Sequence, residues 1–267
     1  MRSGVGPAPK NIDLPDVISA SGLSLAFGGV KAVDDMSITL KRGEFLGLIG
    51  PNGAGKTTLF NMLAGSYKPQ SGSMLIHGQE AAGRSAASRI GMGLGRTFQI
   101  PRPFSQMTVI ENVLTGNQAQ SGETILANFL RFGKVAAEER AAIEKAKGIL
   151  EFLKLQHLMH EPARVLSGGQ RKLLELARVL MADPSIILLD EPAAGVNPAL
   201  LEFIIERVLE LIGEGKSILL IEHNMDMVMR LCHRVVVMAN GKYLTEGTPQ
   251  TVARNPSVIE AYLGAAA

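Results

Sequence analysis

The chain has 267 residues, 46% of them hydrophobic but only 4% aromatic, and a formal net charge of +2. That length can bury a sizeable core as one large domain or as a domain with a subdomain, while so small a charge creates no field that would draw in nucleic acid. The single Cys232 excludes an internal disulfide and a cysteine-built zinc cluster, which suits a reducing cytosol.

Residues 1–16 lack the apolar stretch of a signal peptide and read as a flexible tail. From Val17 to Phe27 and from Ala32 to Leu40, apolar runs flank the pair Gly28-Gly29, the pattern of antiparallel strands joined by a turn. Phe27 beside that turn is either a core residue or a ring able to stack on a base. Glu44–Ile49 then reads as a buried strand leading into Gly50-Pro51-Asn52-Gly53-Ala54-Gly55-Lys56-Thr57-Thr58. This stretch fits the phosphate-loop pattern G-x-x-x-x-G-K-[ST], and a helix is expected from Thr58 to Gly65. Glycines let successive amides point at phosphate oxygens at the positive end of a helix. Lys56 supplies a point charge for the outer phosphates, and the Thr57 hydroxyl is a ligand for magnesium.

The stretch 66–98 is rich in turns, with one strand expected at Ser73–His77. Its glycine cluster, Gly91 to Gly95, lacks the spacing and setting of a dinucleotide fingerprint. Gln99, just before Pro101-Arg102-Pro103, is on its own an ordinary polar loop residue. From Thr108 to about His160 the pattern turns helical, opening with the capping-box pair Thr108 and Glu111. Ile143, Ala146, Ile149, Leu150 and Leu153 follow at helical spacing, so the block 105–182 reads as an inserted helical subdomain. His157 and His160 have no carboxylate or thiolate company and read as surface histidines rather than metal ligands.

Ser167-Gly168-Gly169-Gln170 opens a further helix, to about Ala182, whose start either is a plain serine cap or holds an anion. Ile186–Leu189 is an apolar run without alternation, as in a central parallel strand, and it ends in Asp190 and Glu191. Acids at the carboxyl end of such a strand stand where α/β sheets bind ligands. Asp190 is placed to hold magnesium through water, and Glu191 to polarise an attacking water. A helix from Leu200 to about Ile212 leads to a second buried strand, Ser217–Glu222, followed by His223. A hydrolase triad of Ser217, His223 and Asp226 lacks a nucleophile elbow and is set aside. The turn Asn240-Gly241 makes a hairpin of 233–246, and 248–267 reads as one or two short helices.

The phosphate loop, Gln99, Leu166-Ser167-Gly168-Gly169-Gln170, Asp190-Glu191 and His223, in that order, resemble the nucleotide-binding subunits of ABC transporters across residues 17–263. The resemblance implies an α/β phosphate-loop ATPase fold with an N-terminal antiparallel β-subdomain and an inserted helical subdomain, binding ATP and Mg2+. It implies that Phe27 stacks on adenine, that Gln99 senses magnesium and the γ-phosphate, and that Ser167–Gln170 contact ATP held by a second ATP-binding subunit. Glu191 would be the general base and His223 the switch histidine. Asn197 stands where most members have aspartate, so the resemblance does not carry the usual charged contact over to this position. Arg96-Thr97-Phe98-Gln99, Met107–Asn112, Glu191–Gly195 and Ala261-Tyr262-Leu263-Gly264 look like the ATP-binding proteins of branched-chain amino acid importers, and urea-importer ATPases share much of this pattern. The implied partners are transmembrane permease subunits at the cytoplasmic face of a bacterial-type membrane and, indirectly, a solute-binding protein. A non-transport ABC ATPase of DNA repair or translation would carry a long coiled-coil insertion or two cassettes, and this chain has neither. A phosphate-loop kinase or GTPase would leave Ser167–Gln170 and His223 without a role.

Overall fold

The computed structural model describes residues 14–97, 101–118 and 132–264. The chain divides into two compact units, one of residues 1–96, 185–193 and 208–267, the other of residues 97–184 and 194–207. The strands of the first unit are β1 (Asp16–Phe27), β2 (Val30–Lys41), β3 (Phe45–Ile49), β4 (Ser71–Ile76), β5 (Gln79–Glu80), β6 (Leu94–Arg96), β7 (Ile186–Asp190), β8 (Ser217–Ile221), β9 (Arg234–Ala239) and β10 (Lys242–Gly247).

They form two sheets, an antiparallel one in the order β2-β1-β4-β5 and a second in the order β10-β9-β3-β8-β7-β6. In the second sheet all neighbours are parallel except the edge strand β10. β3, β7 and β8 are buried at every residue, which is why their sequences run apolar without alternation. Leu46, Leu48, Leu188, Leu219 and Ile221 line one face of this sheet. They share a core with Leu59, Phe60 and Leu63 of the helix Lys56–Leu63 and with Ile18, Leu23 and Met36 of the antiparallel sheet. The helix that follows the phosphate loop therefore lies between two sheets.

Gly28 and Gly29, both at positive φ, close the β1–β2 hairpin between Phe27 and Val30 in the mirror-image turn that matches strand twist. Asn240 and Gly241 do the same for β9 and β10. The helix after the phosphate loop begins at Lys56, two residues before the sequence pattern suggests, because Gly55 at φ 93° already turns the chain into it. The stretch 66–98 holds more structure than its turns imply, namely a helix at Ala86–Gly91 capped by Ser85 and the strand β6. Three residues among glycines carry no period; β6 exists through its pairing with β7.

Arg89, on that short helix, is fully buried. Its guanidinium donates to Met62 O at 2.5 Å, Leu63 O at 2.6 Å and Ala81 O at 2.6 Å. It thus closes the carbonyl end of the phosphate-loop helix, where a positive charge is favoured. Burial lowers its pKa to about 10.

In the second unit Thr108 and Glu111 form the expected capping box at the helix Val109–Leu114. The helix Phe132–Phe152 buries Ala142, Ala146 and Leu150, and Leu153 just beyond it is buried too. Asn112 is fully buried and binds the backbone of Phe104, Met107 and Thr108, fixing the loop before the helix. His157 and His160 are exposed, and the described residues contain no cluster of three metal-binding side chains. Among the described residues no helix is long and apolar enough to cross a membrane.

Candidate nucleotide site

β3 runs straight into Gly50, and the loop that follows is nested against two backbones. A Cβ on Gly50 would lie 2.1 Å from Met238 O, and one on Gly55 would lie 2.2 Å from Ala32 O. Gly241 N–H donates to Ala54 O, and Asp34 N–H donates to Gly241 O, so β2 and the β9–β10 turn clasp the loop. A Cβ on Gly53 meets nothing within 4 Å, although φ there is +76°. Pro51 and Ala54 are buried, while Asn52, Gly53 and Thr57 are exposed on the open side of the loop. Leu59 N–H donates to Gly55 O at 2.9 Å. The amides of Lys56, Thr57 and Thr58 ahead of it are the donors that a helix start offers to an outside acceptor.

Lys56 Nζ donates to Gly50 O at 2.7 Å and to Pro51 O at 2.9 Å, spanning the loop. Burial lowers its pKa, and the charge of Glu191 pushes it back up. Phe27 ends β1 with 48% of its surface exposed, so it is not a core residue. Its ring meets Tyr67 edge-on at 5.5 Å.

Parallel pairing of β3 with β8 and of β8 with β7 puts the carboxyl ends of all three on one edge. That edge therefore gathers the phosphate loop, Asp190 and Glu191, and His223. Asp190 is buried, with a guanidinium nitrogen of Arg96 at 3.5 Å. Arg96 also donates to Asn61 and Ser66 and lies over the Phe60 ring, tying the end of β6 to the phosphate-loop helix. Glu191 adopts φ 46°, unusual for a residue other than glycine, and its N–H donates to Ile221 O. His223 Nδ1 is 3.6 Å from Glu191 Oε1, in ion-pair range but beyond a hydrogen bond. Thr57 and Asp190 offer hard oxygen donors of the kind magnesium takes, and a site shared with phosphates needs only one or two protein ligands. Ser217, at the far end of β8, accepts Gly43 N–H and has no part in this edge. Gln99 lies outside the described residues.

Glu222 is the residue that sequence reasoning missed. It is 1% exposed and accepts backbone N–H groups from Ala193, His223 and Asn224. The available signal was a charge ending a fully apolar strand directly before a histidine of the site.

In the second unit Ser167 Oγ accepts Gln170 N–H while Gln170 Oε1 accepts Ser167 N–H, a capping box at the start of the helix Gly168–Met181. A Cβ on Gly169 would lie 2.1 Å from Leu200 Cδ2, whereas one on Gly168 would meet nothing within 4 Å. Close packing thus accounts for Gly169 alone. Asn197 Oδ1 accepts Leu200 N–H, capping the helix that begins at Pro198.

The ABC transporter family matches residues 33–194, and the family described as branched-chain amino acid ATP-binding cassette transporter matches residues 244–267. The chain is 41% identical over 249 residues to a probable branched-chain amino acid transport ATP-binding protein LivG of Archaeoglobus fulgidus, covering 93% of this chain and 96% of that one. It is 40% identical to the high-affinity branched-chain amino acid transport ATP-binding protein LivG of Escherichia coli, covering 94% and 98%. A crystal structure of an ABC transporter's ATP-binding cassette in its ADP conformation superimposes with a TM-score of 0.81 at 40% identity, covering 94% and 99%. The chain belongs to the ABC transporter family as one of its ATP-binding ATPase subunits.

Proposed function

We propose that this chain is the ATP-hydrolysing motor of a membrane importer for branched-chain amino acids. One observation carries the catalytic part: three neighbouring parallel strands deliver Lys56, the pair Asp190 and Glu191, and His223 to one sheet edge. In this reading Gly50 to Thr58 cradle the phosphates of ATP with backbone amides, and Lys56 exchanges its two loop carbonyls for phosphate oxygens. Phe27, half-exposed and braced by Tyr67, stacks on adenine. Glu191 takes the proton of the attacking water, and His223 beside it orients the outer phosphate. The Thr57 hydroxyl and Asp190 would hold Mg2+, with Gln99 in the family's role as its sensor, and the ion would supply charge neutralisation on the phosphates.

Ser167, Gly168, Gly169 and Gln170 contact ATP held by a second ATP-binding subunit. A Cβ on Gly168 would meet nothing within 4 Å among the described residues, which leaves that helix start open to phosphate. Closure of the pair on ATP, and its release after hydrolysis, pass through the helical block 105–182 to transmembrane permease subunits at the cytoplasmic face. Asn197 gives its side-chain oxygen to a helix cap within its own chain. The names of the relatives support the solute class; the permease and a solute-binding protein choose the solute itself.

The test is uptake of labelled leucine and labelled urea by cells lacking this gene, complemented with wild type or with Lys56→Ala. Loss of leucine uptake restored only by wild type is expected. Loss of urea uptake alone would move the solute to urea and leave the motor standing.

A further inference from the structure

We propose that Glu222 is a positioning residue that holds the proposed base and switch histidine in register, an inference that rests on the roles given to Glu191 and His223 above. Its carboxylate lies between two loops. Oε1 accepts Ala193 N–H at 2.8 Å, two residues beyond Glu191. Oε2 accepts His223 N–H and Asn224 N–H, both at 2.9 Å. One side chain thus joins the loop leaving β7 to the loop leaving β8, the two that carry the reacting groups.

Packing does not call for this charge. A residue 1% exposed at the end of an apolar strand would be filled at less cost by an isoleucine or leucine. Among the described residues the carboxylate meets backbone amides rather than a cation. Three donors converging on two oxygens can be satisfied only by a group that accepts and does not donate. The benefit falls at Glu191, whose left-handed backbone persists only where its surroundings over-determine it. The Glu191 N–H bond to Ile221 O fixes the loop on one side of that residue, and the Glu222 bond to Ala193 fixes it on the other.

Glu222→Gln keeps the volume and one acceptor, but its NH2 must face an amide N–H, so one loop is released. Steady-state ATPase kinetics of the full chain decide the matter, measured for wild type, Glu222→Gln, Glu222→Ala, Glu191→Gln, His223→Ala and the pair Glu222→Gln with His223→Ala. Misplacement of this kind should lower kcat of Glu222→Gln about tenfold to a hundredfold. The ATP KM should stay within about twofold, because the phosphate loop is untouched. The double variant should fall below His223→Ala by less than the Glu222→Gln loss in wild type, since Glu222 acts partly through His223 and partly through the Glu191 loop. A Glu222→Gln enzyme with wild-type kcat, beside inactive Glu191→Gln, overturns this proposal alone. So does a loss that appears in KM as much as in kcat, which would mark a fold-wide effect. Rapid turnover by Glu191→Gln overturns the reading beneath it, and this inference with it. Should Glu222→Ala fail to fold, the glutamine variant still decides.

Discussion

The phosphate-loop edge and the start of the helix Gly168–Met181 are the two places proposed to receive phosphate, yet the chain makes them in opposite ways. The first takes residues from the ends of β3, β7 and β8, strands far apart in sequence that meet only in the folded sheet. Its parts are held by contacts within the fold: Arg89 under the helix, Arg96 beside Asp190, Glu222 between the loops. The second is four consecutive residues that cap their own helix with two reciprocal hydrogen bonds. A site of the first kind is only as good as the core beneath it. A site of the second kind stands on one helical turn, so distant substitutions should damage the first edge and spare the second.

The largest expected effect comes from Arg89→Met. It leaves the carbonyls of Met62, Leu63 and Ala81 buried without their donor while filling much of the same space. Loss of several buried hydrogen bonds to a charged group should cost about 3 kcal/mol, a fall in Tm on the order of 10 °C. Affinity for ATP should weaken too, although Arg89 lies at the far end of the helix from the phosphates. Thermal melts and titration with a fluorescent ATP analogue test both. An unchanged Tm would mean that the sheet edge does not depend on this buttress.

The same contrast explains what was legible before the fold was known. The phosphate loop, Ser167–Gln170 and the Thr108–Glu111 cap are local patterns, and their geometry follows from neighbours along the chain. Asp190, Glu191 and His223 were legible because each stands at or just beyond the end of an apolar run, and runs without alternation mean buried parallel strands. Arg89 gave no signal, because a cation in a turn-rich stretch has no period to break. Glu222 looked like the last residue of a strand; its role depends on which loops lie on either side of β8, a fact of strand order. β6 was missed for the same reason, three residues whose identity as a strand belongs to their partner. Phe27 was left between core and stacking by sequence, and exposure removed the core reading.

Ser167→Ala probes the local edge and should do less. Removing the hydroxyl frees the Gln170 amide and costs about 1 kcal/mol of helix stability. Binding of the ATP analogue to the chain's own phosphate loop should not change. A fall in that affinity alongside the small loss of Tm would break the contrast, because the two edges would then share a support.

The smallest effect, and the one that most sharpens the comparison, concerns His233 at the opposite end of β3. Its backbone N–H donates to Phe45 O, and its Nδ1 accepts Phe45 N–H at 3.1 Å. Only an unprotonated Nδ1 can accept, and burial lowers the histidine's pKa from 6.5, with the charge of Glu44 opposing that shift. A histidine whose folded pKa lies below its unfolded value leaves the unfolded chain with more bound protons between the two. Its contribution is therefore complete above about pH 6.5 and is lost as pH falls from there toward the folded pKa. His233→Asn sets an amide oxygen where Nδ1 stands and cannot titrate, so its Tm should fall less than that of wild type between about pH 7 and pH 5.5. Parallel slopes would assign the acid loss to other groups. A shallower slope in the variant, with the ATP KM of both proteins equal at pH 7, would place the proton at the entry of the strand that ends in the phosphate loop. The sheet could then be loosened at its base by acid while the loop keeps its shape, and the dependence of the first edge on its core would have a measurable lower limit.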